Sequence, residues 1–208
     1  MVVSGTGDVF GEPDTLTADF AVETTASTVG AALDQAVTAA TRMRDALIRA
    51  GVARADLQTA NVSVNSTQDD NGKLTGYTVN QGLTATIRDL GKAGTLMGAA
   101  IKAGGDAARL NGVSFAVENS AALLAEARKK AFADARSKAE LYARESARPL
   151  GRVVKINEAD TGWSGPGQRD KMTAAMAAMD SAAPIEPGRQ RLSVTVTVEW
   201  ILGSASTR

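Results

Sequence analysis

The chain has 208 residues, balances 23 Lys+Arg against 23 Asp+Glu, and contains no histidine and no cysteine. Those absences exclude His-based triads, His or thiolate metal sites, thiol nucleophiles and disulfides. The zero net charge, with no local basic cluster, excludes the electrostatic footprint of a nucleic-acid binder. The length suits one large domain or two small, closely packed ones. Apolar residues make up 44% of the chain but aromatics only 4%. Alanine supplies much of the difference, which implies elements that approach closely through small side chains. No run of 18 apolar residues occurs, so no transmembrane span is expected.

Met1-Val2-Val3-Ser4-Gly5 enters a strand-like segment without a signal peptide, and Gly5-Thr6-Gly7 is read as lying before a strand rather than between a strand and a helix. Because it does not join a strand to a helix, it is no dinucleotide loop. Glu12 and Asp14 flank Pro13 in a solvated turn. Residues 15–24 alternate, with Leu16, Ala18, Phe20 and Val22 on one face, as in a half-buried strand. A helix follows over about Thr28 to Ala50, stopped by Gly51. Val62 and Val64 then alternate with Asn61, Ser63 and Asn65 in a second strand.

Asp70-Asn71-Gly72 has the chemistry of a type I′ hairpin turn. The residue types of Asp69–Gly72 also suit a calcium loop, but the twelve-residue spacing and terminal glutamate are missing. The returning strand covers about Leu74 to Arg88, with a bulge expected at Gly82. Asp89 is placed to cap a helix that carries Leu90, Ala93, Met97, Ala100 and Ile101 and closes at Gly104-Gly105. A strand through Val113, Phe115 and Val117 comes next. Ala46–Gly51 matches Ala99–Gly104 in pattern, and the same offset sets Leu57 on Leu110, so a strand–helix–strand unit occurs twice.

The longest helix is expected over 120–148, with Glu126/Lys130, Asp134/Lys138 and Glu140/Arg144 as i,i+4 pairs. Its alanines at 127, 131, 135, 139, 143 and 147 recur every four residues. This row drifts about 40° per step on a 3.6-residue helix, so only its first half is expected to pack on a sheet. A strand through Val153, Val154 and Ile156 follows. The last strand, Leu192 to Trp200, has five inward positions and belongs in the centre of an antiparallel sheet. Between them, a Gly/Pro-rich stretch over about 160–188 is expected to be a mobile insert. Trp163 with Met172, Met176 and Met179, the methionines at i, i+4, i+7, is its candidate partner-contact stripe.

The expected fold is therefore α+β: two similar strand–helix–strand halves (about 15–68 and 74–117), mainly antiparallel sheets, one long helix and a long C-terminal strand. Several segments together resemble the SIMPL-domain family, which includes bacterial periplasmic immunogenic proteins and mycobacterial-type envelope lipoproteins. They are Val3–Gly7 with Pro13-Asp14, Gly51 through Asp56–Thr59, Gly76–Asn80 and Ile87–Leu90. Asn111–Phe115, the helix around Glu126 to Ala139, Leu150-Gly151 and the strand Val194–Trp200 complete the set. The resemblance covers nearly the whole chain as one such domain, apart from 160–188.

The resemblance implies an exported α+β protein of two similar halves that self-associates, with loose links to envelope integrity and stress protection. It brings no catalytic residues. The missing export signal and the Met/Gly/Pro insert are departures, and a lipid anchor would have to lie upstream of Met1. The expected function is a non-catalytic cell-envelope module, periplasmic or a surface lipoprotein, that forms a homo-oligomer or binds an envelope protein, with no cofactor or metal. The alternative is a carrier of a small apolar or glycan ligand in a groove between the halves. A hydrolase using Ser, Lys or carboxylates is a third, weaker reading.

Overall fold

The computed structural model describes residues 1–159 and 186–204, and the backbone of 162–164. These residues form two compact units. One is assembled from 1–13, 117–159, 162–164 and 187–204, and the other from 14–116.

The second unit reads β2 (Thr15–Ala26), α1 (Val29–Arg49), β3 (Leu57–Gln68), β4 (Leu74–Ile87), α2 (Ala93–Gly104) and β5 (Ala108–Ala116). Its sheet order is β3-β4-β2-β5 with every neighbouring pair antiparallel. Each strand–helix–strand unit therefore skips one place, and the strand in the gap comes from the other unit. This is the split β-α-β, or ferredoxin-like, arrangement. Leu16, Ala18, Phe20 and Val22 of β2 and Val79, Leu83, Ala85 and Ile87 of β4 face the helices and are buried. From α1 come Ala32, Ala36, Ala40, Met43 and Leu47, at the helical spacing that keeps one stripe on the core.

Thr28 caps α1, its hydroxyl accepting from the Ala31 amide at 3.3 Å. Gly51 ends it at φ +107°, with the amides of Gly51 and Val52 bonding Ile48 and Leu47 carbonyls, a Schellman closure. The β3–β4 turn differs from the type I′ expectation. Only Gly72 has positive φ (+76°), and its amide bonds the Asp69 carbonyl. The Asp69 carboxylate meanwhile accepts from the amides of Asn71 and Lys73. This is a type I turn closed by a left-handed glycine, and the Asp69 side chain stabilises it by occupying amides that a two-residue turn would have pointed elsewhere.

The irregularity predicted at Gly82 lies opposite it. Register skips between Thr59 and Val62, so β3 carries the extra residue, and a Cβ on Gly82 would come within 3.1 Å of the Ala60 Cβ. Asp89 is not a side-chain cap of α2. A short 3-10 turn, Leu90–Lys92, intervenes, and the Asp89 carboxylate pairs with the Lys92 ammonium at 2.7 Å.

The first unit contains β1 (Val2–Gly11), α3 (Ala121–Glu145), β6 (Leu150–Glu158), β7 (Gly162–Ser164) and β8 (Gln190–Leu202). The sheet order is β1-β8-β6, with β7 also on β8, and all pairs are antiparallel. Leu192, Val194, Val196, Val198 and Trp200 of the central β8 are all buried beneath α3, and Phe132 tilts against Trp200 at 6.3 Å between ring centroids.

Two expectations are corrected in this unit. Gly5-Thr6-Gly7 lies inside β1, not before it. The alanine row does not leave the sheet after its first half, because Ala127, Ala131, Ala135, Ala139 and Ala143 are all buried. Gly5 and Gly7 explain why. A Cβ on Gly5 would collide with the Ala131 carbonyl and Ala135 amide, and one on Gly7 with the Ala127 carbonyl and Ala131 amide, so β1 lies directly on the helix backbone. Two residues of strand advance about 6.8 Å and four residues of helix about 6.0 Å. The strand therefore meets one alanine per glycine step. Both the row and a strand turn in a right-handed sense, so contact survives the drift.

Glu140 takes Arg136 one turn back at 2.8 Å rather than Arg144, while the Glu126–Lys130 and Asp134–Lys138 pairs form as expected. The helix ends at Glu145, three residues before the predicted stop. Ala147 adopts φ +52°, and the amides of Ala147 and Arg148 bond the Arg144 and Ala143 carbonyls. The closure is the same as at Gly51, without its glycine.

Two outcomes follow from these contacts. Gly7→Ala should destabilise the fold by about 3 kcal/mol, because the added carbon meets backbone that cannot swing aside; urea unfolding measures it. Ala147→Gly should stabilise by about 1 kcal/mol, by relieving a left-handed alanine, and should raise the thermal midpoint.

Candidate interaction surface

An open sheet ends in strands whose outward amides and carbonyls are templates for pairing. How each end strand is treated therefore decides where this protein can be approached. The outer side of β1 is occupied by α3. The Thr6 amide donates to the Asp134 carboxylate at 2.9 Å, the Lys138 ammonium donates to the Ser4 carbonyl at 3.2 Å, and the Lys130 ammonium to the Asp8 carbonyl at 3.4 Å. Residues 130, 134 and 138 form the helical row next to the buried alanines. The register that seats Gly5 and Gly7 thus also places a polar side chain at alternate residues of the strand edge. Lys138, and to a lesser degree the Thr6 amide, hold the Asp134 carboxyl below the ordinary carboxylate range. Asp8, on the same strand, is held low by the Arg191 guanidinium and then by Ser193.

The other end strands carry different features. β6 contains Arg152, Lys155 and Glu158, and Glu158 is clamped by Arg128 of α3 through two bonds of 2.8 Å. β5 holds one charge, Arg109, and a register break that leaves Asn111 as an extra residue between Leu110 and Gly112. β3 has no charged residue along its length.

The helices cover the middle of each sheet and leave apolar side chains of the end strands bare. Val64 sits beside Val79, Leu110 beside Phe20, Val113 beside Ala18 and Ile156 beside Val198, on the same faces as these buried partners. Yet Val64, Leu110, Val113 and Ile156 are 39–56% exposed. Val62, which alternates with polar neighbours along β3, is 52% exposed. Alternation identified the face correctly. It could not show that the helix layer stops short of the last strand.

The hollows are shallow. In the first unit one of about 320 Å³ lies on the face away from α3, over Val2, Lys155, Asn157, Thr197 and Glu199. In the second, one of about 390 Å³ lies where α1 meets the end of α2, over Thr38, Arg42, Gly104 and Ala107. The two repeat halves interleave in one sheet, and α1 packs on α2 with Met43, Leu96, Met97 and Ala100 in the core. Side chains thus fill the contact between the two helices, and the hollow over Thr38, Arg42, Gly104 and Ala107 lies at its margin. Trp163 lies in β7, its backbone paired with Leu192. Met172, Met176 and Met179 lie outside the described residues.

The fold and surface define an α+β protein of helix-backed open sheets whose distinguishing feature is its end strands. The chain belongs to the SIMPL family, described as a protein of unknown function (DUF541), whose profile matches residues 1–200. It is 32% identical over 218 residues to the 26 kDa periplasmic immunogenic protein of Brucella melitensis biotype 1 (strain ATCC 23456 / CCUG 17765 / NCTC 10094 / 16M), an alignment covering 95% of this chain and 82% of that protein. The protein of the same name from Brucella abortus (strain S19) matches with the same identity and coverage. Among the described residues no helix is long and apolar enough to cross a membrane.

The low-lying carboxyls set a pH dependence. A carboxyl depressed in the folded state stabilises it above the ordinary carboxylate pKa, and that contribution is lost as pH falls through the folded value. Stability should therefore decline below about pH 4. In Asp134→Asn the part of this decline due to Asp134 should vanish, and the Thr6 amide should exchange faster with solvent; unfolding curves against pH and hydrogen exchange measure the two effects.

Proposed function

We propose that this chain is a non-catalytic module of the cell envelope that works by pairing with copies of itself or with another envelope protein. The observation that carries the reading is the bare apolar margin of the end strands. Val64, Leu110, Val113 and Ile156 point the same way as the core yet lie beyond the helices, and such surface is what a protein partner buries. The periplasmic designation of the Brucella relatives supports export to the envelope. The ion pairs described are exposed and cross-linked in pairs, as in a solvated structural surface, and support a role played by surfaces rather than by bond making.

Sedimentation of the purified chain over a wide concentration range tests the self-pairing half. The expected result is a concentration-dependent rise in mass that Ile156→Ser or Val64→Ser weakens without lowering the thermal midpoint. A strict monomer at the highest concentration would remove self-association and leave only the heterologous partner.

A further inference from the structure

We infer that two copies of this chain pair through β3, edge to edge and antiparallel, about a two-fold axis at Ser63. The inference rests on the self-associating reading above and names its surface.

Three observations converge on this strand. Among the described residues β3 is an end strand, twelve residues long, with no strand on its outer side. It is also the end strand with the least protection. The β1 edge is taken up by Lys130, Asp134 and Lys138, β6 carries three charges, and β5 carries Arg109 and a bulge. From Leu57 to Gln68 there is no charge and no proline, the two devices that most often keep an edge from pairing. The β3 bulge at Ala60–Asn61 leaves Val62–Thr67 in regular pairing.

The third observation identifies the occupant. Gln58-Thr59-Ala60-Asn61-Val62-Ser63-Val64-Asn65-Ser66-Thr67-Gln68 reads the same in both directions except for Ala60 against Ser66. When a strand pairs antiparallel with its own copy about Ser63, residues whose numbers sum to 126 face each other. Val62 meets Val64 and Asn61 meets Asn65; beyond the bulge Thr59 shares the helix side with Leu83 while Thr67, beside Gly76, lies on the other face, so the matched core is residues 61–65. Each pair in this core is then like with like: valines cover valines, and Asn side chains meet partners that both donate and accept. Val62 and Val64, exposed on the helix side of the sheet, would cover each other across the axis. A neutral strand pays no like-charge cost in this isologous contact. A foreign strand has no reason to match this sequence in reverse, whereas a second copy matches it automatically. The pairing would join two four-stranded sheets into one continuous sheet.

Because residue 62 of one copy faces residue 64 of the other, charge placement tests the register as well as the surface. The full chain is compared by sedimentation equilibrium with Val62→Glu/Val64→Glu and Val62→Glu/Val64→Lys. Both positions are exposed, and thermal unfolding checks that each variant folds. The first variant sets glutamate against glutamate in both central pairs and should weaken self-association about tenfold or more. The second sets glutamate against lysine and should recover association to within a few-fold of the parent chain. If the parent assembles and both variants assemble equally well, β3 is not the contact, while self-association itself stands. Equal weakening in both variants would overturn the Ser63 register. A parent chain that stays monomeric at every concentration removes this inference together with the self-pairing half of the proposed function.

Discussion

In the unit built on the C-terminal strand, the arrangement follows from how closely α3 lies on β1. A strand can touch a helix backbone only where neither presents a side chain larger than a methyl group, and Gly5 and Gly7 against the alanine row satisfy that condition. Two further features depend on the contact. It fixes the register of helix against strand, because the two-residue step of one nearly equals the four-residue step of the other. In that register the neighbouring row, Lys130, Asp134 and Lys138, reaches the outward backbone groups of Ser4, Thr6 and Asp8. Close packing and edge protection are thus one solution.

The other unit manages its sheet differently. Interleaving the two strand–helix–strand units puts β2 and β4 in the centre, where α1 and α2 bury one face of each, and sends β3 and β5 to the ends. Two helices are not wide enough for four strands. The end strands keep apolar side chains on the covered face that no described residue of the unit covers. In β5 the exposure is paired with a bulge and a charge, while β3 is left neutral and long. The β1 edge is satisfied by a helix, whereas among the described residues the β3 edge is left open.

Much of the element order could be read locally. The burial of β8 follows from its five alternating positions, and the end of α1 from Gly51, because alternation and a left-handed glycine are properties of neighbouring residues. Where the reading failed, the missing information lay elsewhere in the chain. The end of α3 was placed three residues late because its closure uses Ala147 in a conformation that the sequence marks only when a glycine supplies it. Asp89 looked like a cap but found Lys92, three residues on, and Glu140 had a lysine-like partner available in either direction along the helix. The candidate stripe came from the i, i+4, i+7 spacing of Met172, Met176 and Met179 near Trp163, and the methionines lie outside the described residues. The end-strand margin was legible only as alternation, which does not show how far the helices reach.

The sequence by itself determined which segments are strands and helices, which face of each is apolar, and that histidine and thiol chemistry have no place here. Those properties are set by residue type and by periods of two and 3.6, which need no tertiary contact to be expressed. Only the tertiary structure decided that the alanine row stays buried from Ala127 to Ala143, that the repeat halves interleave in one sheet, and that Val62 and Val64 are exposed. Each of these depends on how far a helix layer extends over a sheet and in what order strands lie within it. That order is fixed by long-range pairing, which no local window of the chain contains.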